Sequence, residues 1–181
     1  SRAGIVMRKL AYIFSIALFI SGCATLEDFS LPKFDTKSTP SNQIEIDKYK
    51  ALVKKTPNDA DAHFNLGEEL FKADKFKEAI EPFNEVLRIN PDNAEAHFYL
   101  GRGYIVQNDH VKAVDHLNRA ISINKTLGGP FLYLGNIAQE KDKDETKARE
   151  YFKKAIRLLE GALKKNSSNY KTHRYLGSAY S

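Results

Sequence analysis

A Leu-Gly pair returns along the chain at Leu66-Gly67, Leu100-Gly101, Leu134-Gly135 and Leu176-Gly177, at spacings of 34, 34 and 42 residues. A period of this length constrains the fold more than any other feature, because it means one small unit built several times over. Three residues before each Leu stands a ring: His63, His97, Phe131 and His173. Four residues after it stand Leu70, Tyr104, Ala138 and Tyr180. His63, Leu66, Gly67 and Leu70 therefore fall at i, i+3, i+4 and i+7, one face of a helix. A glycine on that face has no Cβ and lets a second helix approach closely. Further residues recur in order downstream, Ala79, Phe83, Val86 and Pro91 after the first pair, then Ala113, Leu117 and Ala120 after the second. One helical hairpin cannot bury its apolar face alone, whereas stacked hairpins can.

The order aromatic-x2-Leu-Gly-x2-Tyr, then Ala, Phe, Ala and Pro, resembles the tetratricopeptide repeat. The resemblance implies an all-α, right-handed helix–turn–helix solenoid over residues 44–181. It would consist of a capping helix at 44–56, repeats near 60–93, 94–127 and 128–168, and a partial repeat at 169–181. The stripes and breakers predict helices over 44–55, 60–72, 75–89, 94–106 and 110–123. Ile44, Tyr49, Leu52 and Val53 form the expected apolar stripe of the first. Asn58 or Asp59, and Asp74, are the available N-caps of the first full unit, and Asn93 opens the second. The third unit starts at Gly128-Gly129-Pro130, and its loop over 141–144 is one residue longer than the earlier ones. Ala148, Phe152, Ala155, Ile156, Leu159, Ala162 and Leu163 carry its second helix on to about Lys165, which accounts for the 42-residue spacing. Only the first helix of a fourth unit precedes Ser181, so further sequence is expected to complete it.

The amino-terminal stretch has a different character. Residues 1–6 precede Met7, the single methionine, and are expected to lie outside the fold. Arg8-Lys9 is followed by an apolar run over 10–20, the pattern of a secretory leader. Eleven residues are too few for a bilayer span, which needs about 20. Ile20-Ser21-Gly22-Cys23 resembles a bacterial lipobox, and Cys23 is the only cysteine in the chain. The resemblance implies cleavage after residue 22, acylation of Cys23 by lipids such as palmitate, and, with Ala24 next, sorting to the outer membrane facing the periplasm. Residues 23–43, rich in small polar residues with Pro32 and Pro40, read as a tether. Its reach is about 25 Å as a coil and at most about 70 Å extended.

Charge and composition narrow the function. The chain carries 28 Lys and Arg against 23 Asp and Glu. Three of those cations, Arg2, Arg8 and Lys9, precede Cys23, so the remainder is only slightly basic and gives no case for nucleic acid. A single cysteine permits no internal disulfide. The sequence holds no Gly-rich phosphate loop, no HExxH and no GxSxG, and its carboxylates form no spaced catalytic pair. No enzymatic activity, small-molecule substrate or cofactor is expected. Of the five histidines, His63, His97 and His173 share one repeat position and read as packing rings, while His110 and His116 fall on different faces of one helix; no metal site is expected.

The remaining candidate is the concave face, lined in the family by the first helix of each unit. Carried onto this chain, the resemblance names Phe64, Glu68 and Phe71, then Phe98 and Arg102, Asn136 in the third unit and Arg174 in the last as a partner-binding groove. The Lys and Asn clamp of the chaperone-binding subset is replaced by Phe64 and Glu68. Burial of Phe64 and Phe98 against neighbouring helices is an equal alternative for those rings. The expected function is a lipid-anchored scaffold that binds protein partners in the envelope. Similar lipoproteins serve as pilotins, in outer-membrane assembly or as adaptors of cell-wall enzymes. The rivals are the recognition half of a longer enzyme subunit and a structural envelope spacer.

Overall fold

The computed structural model describes residues 40–180, with side chains over 42–179. The expected leader, Cys23 and the expected tether up to residue 39 lie outside the described residues. Those described form an all-α solenoid: α1 (Pro40–Lys55), α2 (Ala60–Lys72), α3 (Phe76–Ile89), α4 (Ala94–Val106), α5 (His110–Ile123), α6 (Gly128–Glu140), α7 (Glu145–Lys165) and α8 (Tyr170–Tyr180). Each helix packs on the next, and the closest partners are the hairpins α2–α3, α4–α5 and α6–α7. First helices of neighbouring units also touch, α4 with α6 and α6 with α8. They form the inner wall, and the second helices α3, α5 and α7 form the outer wall.

The glycines show why the repeat takes this form. A Cβ on Gly67 would lie 2.6 Å from the Phe83 ring, one on Gly101 2.7 Å from Leu117, and one on Gly135 2.5 Å from the Phe152 ring. In every hairpin a large side chain of the second helix occupies the space that the glycine leaves on the first. Gly177 of α8 faces nothing within 4 Å. Gly128 repeats the device within the third hairpin, where it lies against Leu159 of α7, and Gly129 extends it between units, where it lies against Phe98 of α4.

Helix ends follow local chemistry. Asp59, Asn93, Asp109 and Asp144 each accept a backbone N–H three residues on, and so cap α2, α4, α5 and α7. Asp74 departs from the expectation. It adopts φ 58, and Lys75 takes the N-cap position of α3 without a side-chain bond. Asp74 instead makes the left-handed turn between the two helices, as Asn108 and Lys143 do in the next two units. A left-handed residue reverses the chain most tightly, and Asp and Asn tolerate that conformation better than most. The first helix also begins earlier than the stripe predicts, at Pro40, whose missing N–H costs nothing in a first turn. Its packed face is corrected as well. Ile44 and Leu52 are exposed, and Ile46 is fully buried with Tyr49 and Val53 beside it.

The repeat-position histidines do more than pack. Nε2 of His63 meets the carbonyl of Pro57 at 3.0 Å, that of His97 the carbonyl of Pro91 at 3.2 Å, and that of His173 the carbonyl of Ser167 at 2.7 Å. A carbonyl only accepts, so each Nε2 carries the proton. Each ring thereby ties its first helix to the turn that precedes it.

Leu100 is fully buried, and its truncation to Ala should cost about 2–5 kcal/mol. Gly101→Ala should cost about 1–3 kcal/mol through overpacking against Leu117. Chemical denaturation of the two variants measures both, and a neutral Gly101→Ala would contradict the close approach of α4 and α5.

Candidate interaction surface

The inner wall places residues of equal register side by side. Immediately before the Leu-Gly pairs stand Asn65, Tyr99, Tyr133 and Tyr175, so three successive first helices bring a tyrosine to the same face. The Arg102 guanidinium sits among them. Its Cζ lies 4.8 Å from the ring centre of Phe71, 5.2 Å from Tyr99, 5.4 Å from Tyr133, 5.6 Å from Phe98 and 5.8 Å from Tyr175. It also donates a hydrogen bond to the Tyr175 hydroxyl at 3.1 Å. A weakly hydrated, planar cation suits such a cage, because ring faces attract it where water is sparse.

Glu68 lies beside this cage. It accepts a hydrogen bond from the Tyr99 hydroxyl at 2.6 Å and pairs with Lys171 of α8. Burial alone would raise the pKa of its carboxyl, but the bonds from Lys171 and Tyr99 outweigh it and hold the group below its ordinary value. Burial, reinforced by the Glu68 carboxylate, pushes the Tyr99 phenol far up. Burial also raises Tyr175, against the opposing pull of Arg102. At neutral pH Glu68 is therefore ionised, and Tyr99 and Tyr175 are neutral.

Among the expected groove residues, Phe71 and Phe98 are buried, so their rings belong to the core of the solenoid. Phe64 is half-buried and meets the Phe83 and Tyr99 rings edge-on. Glu68 and Arg102 are half-buried and bound to other groups of this chain. Asn136 is half-buried, and Arg174 is exposed next to the Tyr175 ring. The structure thus brings Phe64, Glu68, Phe71, Phe98 and Arg102 into one cluster and leaves Arg174, with Lys171, on an open polar rim. The tyrosines were missed as site residues, although their equal offset from each Leu-Gly pair was legible. A cleft of about 140 Å³ opens between Glu95, Phe98, Tyr99, Gly129, Lys171 and Tyr175. That is well below the roughly 300–1,000 Å³ of small-molecule sites. Among the described residues no three His, Cys, Asp or Glu side chains gather as a metal site, and no helix is long and apolar enough to cross a membrane.

A second polar cluster joins the two helices of the middle unit. Nδ1 of His97 and Nδ1 of His116 are 2.9 Å apart, with Tyr104 stacked on His116. The His97 Nε2 proton is directed at Pro91, so its Nδ1 accepts and His116 Nδ1–H donates. Burial lowers both pKa values. The bond to the Pro91 carbonyl, and more weakly Asp92, oppose the effect at His97 while Arg119 adds to it; at His116 His97 adds to it and Asp115 opposes it.

Comparison with known proteins agrees with this architecture. Residues 60–93 and residues 94–127 each match a tetratricopeptide repeat family model. These two units therefore carry the tetratricopeptide-repeat pattern, over 68 of the 181 residues. Among solved structures, a MamA crystal structure is similar at 23% identity and a TM-score of 0.60, covering 84% of this chain and 95% of that one. MamA 41-end from Desulfovibrio magneticus RS-1 is similar at 24% identity and a TM-score of 0.60, with coverage of 67% and 68%. The human IFIT1 dimer with PPP-AAAA is similar at 20% identity and a TM-score of 0.55, with coverage of 78% and 39%. At these identities the likeness is one of fold. No curated protein matches the sequence.

The histidine pair predicts acid sensitivity. The folded state holds both rings neutral, whereas in the unfolded chain they titrate near about 6.5. The unfolded state therefore binds more protons as pH falls below that value, and stability drops. Melting temperature should decline as pH is lowered from about 7 to about 5. His116→Leu, which cannot charge, should flatten the decline, and an equally steep profile would show that the pair is not its source.

Proposed function

We propose that the chain is a membrane-anchored protein–protein interaction scaffold of the bacterial envelope. The observation that carries this reading is a repeat solenoid preceded by a leader-like stretch whose end holds the only cysteine of the chain. Acyl chains on Cys23 would fix one end of the tether in a bilayer facing the periplasm. Confinement raises the effective concentration of the inner wall toward other membrane-bound proteins, without any new contact. Asn136, Lys171 and Arg174 would supply the polar rim that meets the partner, around the Arg102 cage, with Glu68 holding Lys171 in place. Phe71 and Phe98 contribute by holding that cage in shape. A scaffold needs no cofactor and turns over no substrate.

The mature protein is expected to begin at Cys23 and to carry acyl chains, as intact mass spectrometry of the membrane fraction would show. Cys23→Ser should release the protein from membranes. Arg174→Ala and Asn136→Ala should weaken capture of partners from detergent-solubilised envelopes while leaving the melting temperature unchanged. Phe98→Ala should lower the melting temperature, because it empties a core position. An unmodified Cys23 would overturn the anchor, and unaltered capture by both rim variants would overturn the inner wall as the binding surface.

A further inference from the structure

The outer wall grows more basic along the solenoid. Helix α3 carries two cations against Glu78, Glu81 and Glu85, and α5 carries Lys112 and Arg119 against Asp115. Helix α7 carries Lys147, Arg149, Lys153, Lys154, Arg157, Lys164 and Lys165 against Glu145, Glu150 and Glu160. All seven cations are exposed. Lys154 lies near the Phe131 ring, and the other six take part in no ion pair among the described residues.

Their placement follows from the helix period. Ala148, Ala155 and Leu159 mark the buried face of α7. At 100° per residue, Lys153, Arg157 and Lys164 fall opposite that face, with Lys147, Lys154 and Lys165 along one flank. Gly161 lies in the same stripe, and a Cβ there would meet nothing within 4 Å. The result is a cationic ridge about 30 Å long on the longest helix of the solenoid.

We infer that the outer face of α7 docks on an anionic phospholipid bilayer. A protein partner would call for apolar or aromatic anchors at the centre of the contact. The large exposed hydrophobic residues Ile44, Leu52, Val106, Val111 and Tyr170 all lie on other elements. Contact through charge alone leaves a polyanion. Glu150 and Glu160 both stand within the cationic stripe, and laterally mobile headgroups can rearrange around fixed carboxylates, whereas phosphates spaced along a nucleic-acid backbone cannot. No exposed aromatic ring interleaves the cations to stack on bases. The anchored-scaffold reading supplies only the reason that a bilayer is at hand; the ridge itself needs no acyl chain. Docked in this way, the solenoid would lie with α7 against the headgroups and its inner wall turned away from them.

The test uses the full chain carrying Cys23→Ser, so that no acylation contributes, in sedimentation with vesicles of phosphatidylglycerol mixed with phosphatidylcholine or of phosphatidylcholine alone. Arg8-Lys9 and the apolar run over 10–20 are common to the parent and both triple variants, so the reading is the ratio between the two kinds of vesicle, compared among these three proteins. The chain should prefer anionic vesicles and lose that preference as salt is raised. Replacing Lys153, Arg157 and Lys164 together by Gln should reduce the preference by about a hundredfold, at the magnitude typical of a basic residue near an anionic surface. Lys54, Lys55 and Lys77 changed together to Gln remove the same charge elsewhere and should leave most of the preference in place. Melting curves of both triple variants establish that they are folded. Equal partitioning of the α7 variant and the parent would overturn the inference, as would an equal loss in the control or tighter binding of duplex DNA than of anionic vesicles at the same salt. Acylation at Cys23 is read separately by mass, so either proposal can fail without the other.

Discussion

The fold depends on one steric exchange, repeated in every hairpin: a glycine on the first helix gives up its side chain, and a large residue on the second takes the space. Phe83, Leu117 and Phe152 fill the positions left by Gly67, Gly101 and Gly135. The exchange brings two helices closer than side chains on both would allow. It also fixes their register, because the large residue fits only opposite the gap. Interiors packed to this density tolerate little change in volume. Each hairpin is therefore a rigid block, and the placement of the inner wall is set by how the blocks stack.

Stacking brings the inner wall to an unusual composition. Five rings and a guanidinium occupy its centre, and Phe71 and Phe98 are buried among them. Arg102 replaces what would otherwise be a gap between Tyr99, Tyr133 and Tyr175, and its charge is accommodated by ring faces and one phenol hydroxyl instead of a carboxylate. Gly129 lets α6 come against Phe98 of α4, and that close approach is what brings the tyrosines of three units within reach of one arginine. The polar groups able to meet a partner are displaced to the rim, where Lys171 and Arg174 stand.

The sequence made the helices legible because their signals are local. Asp59 and Asn93 cap where their side chains reach the next turn, and the 42-residue spacing follows from a helix prolonged at Lys165. Asp74 was misread for a physical reason. A short polar residue serves equally at an N-cap and in a left-handed turn, and only the three-dimensional path of the chain separates the two. The stripe of α1 was misread because Ile44 and Ile46 cannot both face the core, and the choice depends on where α2 lies. The inner wall was least legible. Phe64, Phe71, Phe98 and Arg102 come together in one cluster, but how tightly that cluster closes depends on Gly128-Gly129 and on α8, far along the chain. The contact of His97 with His116 likewise joins residues on two helices, and no spacing within either one announces it.

The ion pair between Glu68 and Lys171 spans 103 positions of the chain. Solenoids are ordinarily quasi-one-dimensional: each unit senses only its neighbours, and the ends can fray while the middle stays folded. Here the first full unit holds the fourth directly, and Arg102 of the second holds Tyr175 of the fourth. Such cross-links make the array behave as a closed circuit, in which loosening either end removes support from the other. Cooperativity then extends over the whole inner wall, so that a disturbance at one end is felt as a change in the stability of every unit.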